Sequence, residues 1–175
     1  MKKIKTIYWI IVLSVITGIF IQIMPASDLN QGKLIMDNKN FETAVFAGGC
    51  FWCVEAAFEG HKGVIDVVSG YTGGHVSDPG YEQVTSGTTG HFEAVKINFN
   101  PDIITYKELL KIFFQQIDPT DFSGSFVDRG SQYSSAIFYQ NDTQKKEALK
   151  TIDKINQSKL FNTPVATQVL KFKKF

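Results

Sequence analysis

Apolar and polar positions change period several times along the chain. From Ile7 to Met24 no residue is charged, and Lys2-Lys3-Ile4-Lys5 stands before that run. An apolar stretch of about 18 to 20 residues is long enough to cross a bilayer as a helix. Residues 1–24 are read as an uncleaved signal-anchor, with a cleaved signal peptide as the alternative. Ala26 could sit at a cleavage point, but Met24 two places earlier is a poor residue for one. In either case the lysines stay cytoplasmic and the rest is exported to the cell envelope. Residues 25–41, a mix that includes Pro, Ser, Asp, Asn, Gln, Gly and Lys, read as a polar linker.

From residue 42 to 175 the periods are those of one folded domain. Ala44-Val45-Phe46-Ala47 is a short apolar run ended by a glycine pair, which predicts a strand and a tight turn. Phe51, Val54, Ala57 and Phe58 then recur at helical spacing, with Gly60 as a stop. A second strand is expected from Val64 to Tyr71 and a third from His91 to Phe99, separated by a long loop, Thr72 to Gly90. Loops of that length are usually functional. Thr105-Tyr106-Lys107-Glu108 has the form of a capping box, opening a helix through Leu109, Leu110, Phe113, Phe114 and Ile117. A second loop, Thr120 to Gln132, leads to a strand from Tyr133 to Tyr139. The last helix, Thr143 to Gln157, is expected to bury Ala148, Leu149, Ile152 and Ile155, and a strand from Val165 to Phe172 follows. Helices interleaved with strands in this order predict an α+β sandwich of the split β-α-β kind.

The chain is 43% hydrophobic and 20% charged, with a formal charge of +1. Without Lys2, Lys3 and Lys5, 15 basic residues face 17 acidic ones, a net of −2. No basic field remains for a nucleic-acid partner, and a monomer is expected.

The chemistry concentrates in Gly48-Gly49-Cys50-Phe51-Trp52-Cys53-Val54-Glu55. A strand, a glycine turn and a helix place Cys50 at or near the first helical position. Unpaired N–H groups and the positive end of the helix dipole there favour a thiolate. Cys53, three residues on, shares its face. The Phe-Trp between them looks exposed and suggests an apolar pocket beside the sulfur. Other readings compete. A zinc site needs four ligands, but there are only two cysteines and His61, His75 and His91 lie at no ligand-like spacing. Haem attachment needs His where Val54 stands. Two inert core cysteines remain possible, although a glycine turn into a helix exposes rather than buries. A redox pair without metal or cofactor is the preferred reading.

Gly-Cys-Phe-Trp-Cys-Val-Glu resembles the active-site signature of the A-type peptide methionine sulfoxide reductases. Gly70-Tyr71-Thr72-Gly73-Gly74, Tyr81-Glu82-Gln83-Val84, Ser86 to Val95 and Asp128 to Ala136 resemble the same family in order and spacing. The likeness covers residues 42 to 175. It implies a ferredoxin-like core and thiol-dependent reduction of peptide or free methionine S-oxide, S epimer. It also implies a thioredoxin-like reductant.

Glu93 lies in an alternating strand on the face of Val95, Ile97 and Phe99. Alone, that pattern leaves open a desolvated, protonated carboxyl or a strand end that reaches water; the resemblance makes Glu93 the general acid. By the same resemblance Tyr81 and Tyr133 hydrogen-bond the sulfoxide oxygen and Asp128 holds the substrate main chain. Phe51 and Trp52 wall the S-methyl group. Cys50 is the implied nucleophile; with no third cysteine in the sequence, either Cys53 closes a disulfide with it or an external thiol attacks directly. His91 is not taken as a base, because no hydroxyl nucleophile needs one. Two departures stand out. Many family members carry glycine at the position of Cys53, with recycling cysteines in a tail. The sequence also stops at Phe175, before the tyrosine- and histidine-bearing tail usual in the family. A membrane-anchored thiol–disulfide oxidoreductase, with Thr163-Pro164 as its X-Pro segment, and a non-catalytic binder of oxidised methionine are the alternatives.

Overall fold

β1 (Glu42–Ala47) is the middle strand of a five-stranded sheet. A computed structural model describes residues 41–175, so the anchor and linker expectations for residues 1–40 lie outside the described residues. Ala44 through Ala47 are fully buried. A strand covered on both faces needs a continuous apolar run rather than alternation, which is what the sequence has there.

After β1 come α1 (Phe51–Phe58), β2 (Val64–Thr72), α2 (Tyr81–Thr85), β3 (Phe92–Phe99) and α3 (Tyr106–Gln116). The short strands β4 (Gly124–Ser125) and β5 (Asp128–Arg129) pair as a hairpin. β6 (Ala136–Tyr139), α4 (Asp142–Ser158) and β7 (Gln168–Lys171) complete the domain. The sheet order is β2-β3-β1-β6-β7. β3 runs antiparallel to both β1 and β2, so β1 and β2 are parallel strands with α1 crossing between them. That is the expected split β-α-β unit. β6 is antiparallel to β1 and parallel to β7.

One sheet face presents Ala44, Phe46, Val95, Ile97, Phe99 and Ile137 to α1, α3 and α4, forming the main core. Phe46 stacks on Phe113 at 4.9 Å and on Phe58 at 5.7 Å, joining β1 to α3 and α1. Burying such a side chain contributes about 1.5–3 kcal/mol. Truncating Phe113 to Ala would cost about 3–5 kcal/mol once the cavity is included. On the other face Val45, Ala47, Ala94, Ala136 and Phe138 are covered by Phe92, Leu170, Phe172 and Phe175.

The capping box is present: Glu108 N–H donates to Thr105 Oγ1 at 3.2 Å, and Thr105 N–H donates to Glu108 Oε2 at 2.8 Å. Several expectations need correction. Leu149 is 45% exposed, because α4 buries only a narrow stripe around Gln144 and Ala148. The strand expected from Tyr133 begins at Ala136, since Ser131–Tyr133 forms a 3-10 turn. The last strand is shorter than expected at both ends. The two long loops hold structure of their own, α2 in one and the β4–β5 hairpin in the other. Among the described residues no helix is long and apolar enough to cross a membrane.

Candidate active site

β1 passes to α1 through Gly48-Gly49. Gly49 has φ +97°, and a Cβ there would lie 2.7 Å from Ser125 Cβ on β4. The left-handed turn and the close hairpin both require glycine at this position. Cys50 is the N-cap residue of α1, one position before the helix proper. Its carbonyl accepts from the N–H groups of Cys53 and Val54 at 3.1 and 3.2 Å. Cys50 is half-buried and Cys53 exposed.

The first N–H of the helix, on Phe51, donates to Glu93 Oε2 at 3.1 Å. Glu93 is 2% exposed, which decides between the two readings its strand pattern allowed. Burial pushes its carboxyl above the ordinary range; the Phe51 N–H partly opposes this, and the Asp128 charge adds to it. A buried carboxyl pushed above its ordinary range therefore sits against the turn that carries Cys50.

The aromatic side chains differ from expectation in one respect. Phe51 is 6% exposed, part of the core, whereas Trp52 is 61% exposed. Phe51 stacks on Tyr71 at 5.8 Å and on Tyr81 at 6.5 Å, and Trp52 stacks on Tyr81 at 6.2 Å. Tyr71 is the residue sequence reasoning missed. It pairs directly opposite Glu93 across β2 and β3, a relation visible only once the strand register is known. Burial, then the charges of Glu93, Tyr81 and Tyr133, push the Tyr71 phenol up. Burial, Glu93 and Tyr81 do the same for Tyr133, opposed by its bond to Gln132. The two long loops thus converge on Glu93.

Asp128 sits on β5 opposite Ser125. With Cys50, Cys53, Val54 and Gln116, these two residues line a cavity of about 240 Å³ beside the thiols. The Ser125 hydroxyl is buried there without a hydrogen-bond partner. Hydrogen bonding to Cys50, burial, and the charges of Cys50 and Asp128 push the Cys53 thiol up. His91 is committed elsewhere: Nδ1 accepts from Gly74 N–H at 3.3 Å and Nε2 lies 2.8 Å from the Val76 carbonyl. It pins the first loop.

A thiol at a helix N-terminus, a second thiol one turn on and a buried carboxyl behind them make a thiol-based oxidoreductase. Residues 42–175 match the family described as peptide methionine sulfoxide reductase. The peptide methionine sulfoxide reductase MsrA of Bacillus subtilis (strain 168) is 53% identical over 134 residues, 77% of this chain and 76% of that protein. MsrA/MsrB of Vibrio cholerae is 43% identical over 167 residues; the match covers 95% of this chain and 44% of that longer protein. The crystal structure of reduced Mxr1 from Saccharomyces cerevisiae superposes with TM-score 0.72 at 29% identity, over 77% of this chain and 78% of that one. The chain belongs to the peptide methionine sulfoxide reductase family and is of the A type. It is a peptide-methionine (S)-S-oxide reductase, returning oxidised methionine to methionine by thiol chemistry.

Proposed function

We propose that Cys50 is the nucleophile of this reaction, Glu93 its general acid and Cys53 the thiol that closes the cycle. The observation that carries the assignment is the buried Glu93 carboxyl bonded to the N–H that follows Cys50. A sulfoxide sulfur accepts a nucleophile only as its oxygen gains a proton. The Cys50 thiolate attacks that sulfur while Glu93 supplies the proton, and the phenols of Tyr81 and Tyr133 donate to the oxygen. Phe51 and Trp52 receive the S-methyl group, Tyr71 closes the same aromatic wall, and Asp128 accepts from the substrate main chain. Methionine leaves and Cys50 carries the oxygen as a sulfenic acid. Cys53 attacks that sulfur, water departs, and a Cys50–Cys53 disulfide remains. Two electrons from an external dithiol, a thioredoxin-like protein, restore both thiols.

The membrane and location readings belong here as well. The three lysines and the uncharged run to Met24 support a domain held at the outer side of a membrane, with its reductant exported too. The testing experiment follows the two epimers of a peptide methionine sulfoxide with dithiothreitol, and in a separate arm without reductant reads Cys50 by mass spectrometry after one turnover. Expected are consumption of the S epimer alone and an added oxygen on Cys50 in Cys53→Ser. An oxygen-free Cys50 in that variant would sink the assignment.

A further inference from the structure

The two sulfurs are not equally reachable, since Cys53 is exposed and Cys50 half-buried. Two exposed aromatic side chains accompany Cys53. Trp52 precedes it on α1 at 61% exposure, and Phe126, at 64%, borders the cavity that holds both thiols. Val127, next to Phe126, is 90% exposed. Phe126 and Val127 are the central pair of the β4–β5 turn. Phe126 holds φ +52°, a left-handed conformation that Asn or Gly adopts far more easily. A bulky apolar residue kept there, in solvent and beside a redox sulfur, points to a use outside the domain.

We propose that the Phe126–Val127 turn, together with Trp52, is the docking rim for the dithiol protein that recycles the enzyme, and that this partner attacks Cys53 and not Cys50. The inference rests on the Cys50–Cys53 disulfide proposed above. A protein thiolate that reaches Cys53 must lay its own surface on these side chains, whereas dithiothreitol need not. Its sulfur bonds to Cys53 Sγ, the Cys50–Cys53 bond breaks, and Cys50 departs as thiolate. Its second thiol then displaces Cys53, leaving the partner as a disulfide and the enzyme two electrons richer. Leaving-group order agrees. A Cys50 thiolate is released at the N-terminus of α1, while hydrogen bonding to Cys50 and burial push the Cys53 thiol up.

The test uses bacterial thioredoxin as the probe. One equivalent of methionine sulfoxide should remove two free thiols; removal of only one, leaving a sulfenic acid, would overturn the disulfide reading and this inference together. The oxidised enzyme is then mixed with thioredoxin whose second active-site cysteine is Ser, and the adduct is peptide-mapped. A mixed disulfide on Cys53 is expected, and one on Cys50 overturns this inference alone. Val127→Asp and Val127→Ser should raise KM for thioredoxin, the former about tenfold. Turnover of an oxidised polypeptide with dithiothreitol should stay at the wild-type level and doubles as the folding control. A raised KM for that polypeptide instead would assign the rim to substrate and overturn the proposal, as would no change in either.

Discussion

Gln132 Nε2 donates to the carbonyl of Thr85 at 3.0 Å, so one buried amide ties the loop of Tyr81 to the loop of Tyr133. Gln132→Leu would leave that carbonyl unpaired, at a cost of about 1–3 kcal/mol, and would free α2 from the second loop. KM for the sulfoxide should rise because the two phenols lose their common frame. Steady-state kinetics checks this; a lowered melting temperature with unchanged KM would mean the tie serves the fold only.

Glu93→Gln should lower kcat by about 10²–10⁴-fold with KM little changed, since a proton is lost and a side chain of similar shape remains. Stability should move the other way. The folded-state pKa of Glu93 lies above its ordinary value. Its contribution is therefore fully present below the ordinary carboxylate range and is lost as pH rises through the raised value. Glu93→Gln removes that loss, so its melting temperature should exceed the wild type's at pH 8 and approach it at pH 4. Scanning calorimetry at the two pH values decides the sign.

Most of this site could be read from the chain because its parts are local. Cys50, Phe51, Trp52 and Cys53 occupy one helical turn, whereas the alternation of Val95, Ile97 and Phe99 left Glu93 open and only the family resemblance singled it out. What escaped depends on pairing between distant segments. Tyr71 joins the site through its register with Glu93. The β4–β5 hairpin has two-residue strands and Phe126-Val127 at its turn, without the Asn or Gly that would announce it. α2 is five residues long, too short to show a period. Leu149 followed the helical spacing, yet α4 meets the rest of the domain along too narrow a stripe to cover it.

Gly49→Ala should disturb the site from two directions. Its φ of +97° penalises any Cβ, and that Cβ would meet Ser125 Cβ at 2.7 Å. A destabilisation of about 1–3 kcal/mol is expected. Ser125→Gly in the same chain should return the part due to the contact and leave the part due to φ. Urea melts of the single and double variants measure this coupling, and strict additivity would show that Ser125 does not press on the turn.

Cys50→Ser should abolish reduction altogether. Cys53→Ser should keep one rapid turnover and lose recycling by thioredoxin, because the sulfenic acid then has no neighbouring thiol to close on. Rapid-quench assays with stoichiometric enzyme separate the two phases. Normal multiple turnover of Cys53→Ser with thioredoxin would remove Cys53 from the cycle.

Location has its own consequence for the chemistry. Lys2, Lys3 and Lys5 before the uncharged run to Met24 should keep the N-terminus in the cytoplasm and send the domain across. Outside the cytoplasm disulfides persist, so a Cys50–Cys53 bond formed there waits for reducing power carried through the membrane. Thioredoxin confined to the cytosol could not reach it. Fractionation and protease treatment of intact cells and of spheroplasts test the arrangement. The domain should sediment with membranes and become cleavable once the outer face is opened. Replacing Lys2, Lys3 and Lys5 by Glu should weaken that orientation and raise the protected fraction. A soluble domain shielded from protease in spheroplasts would place the enzyme beside cytosolic reductants and remove the need for an exported one.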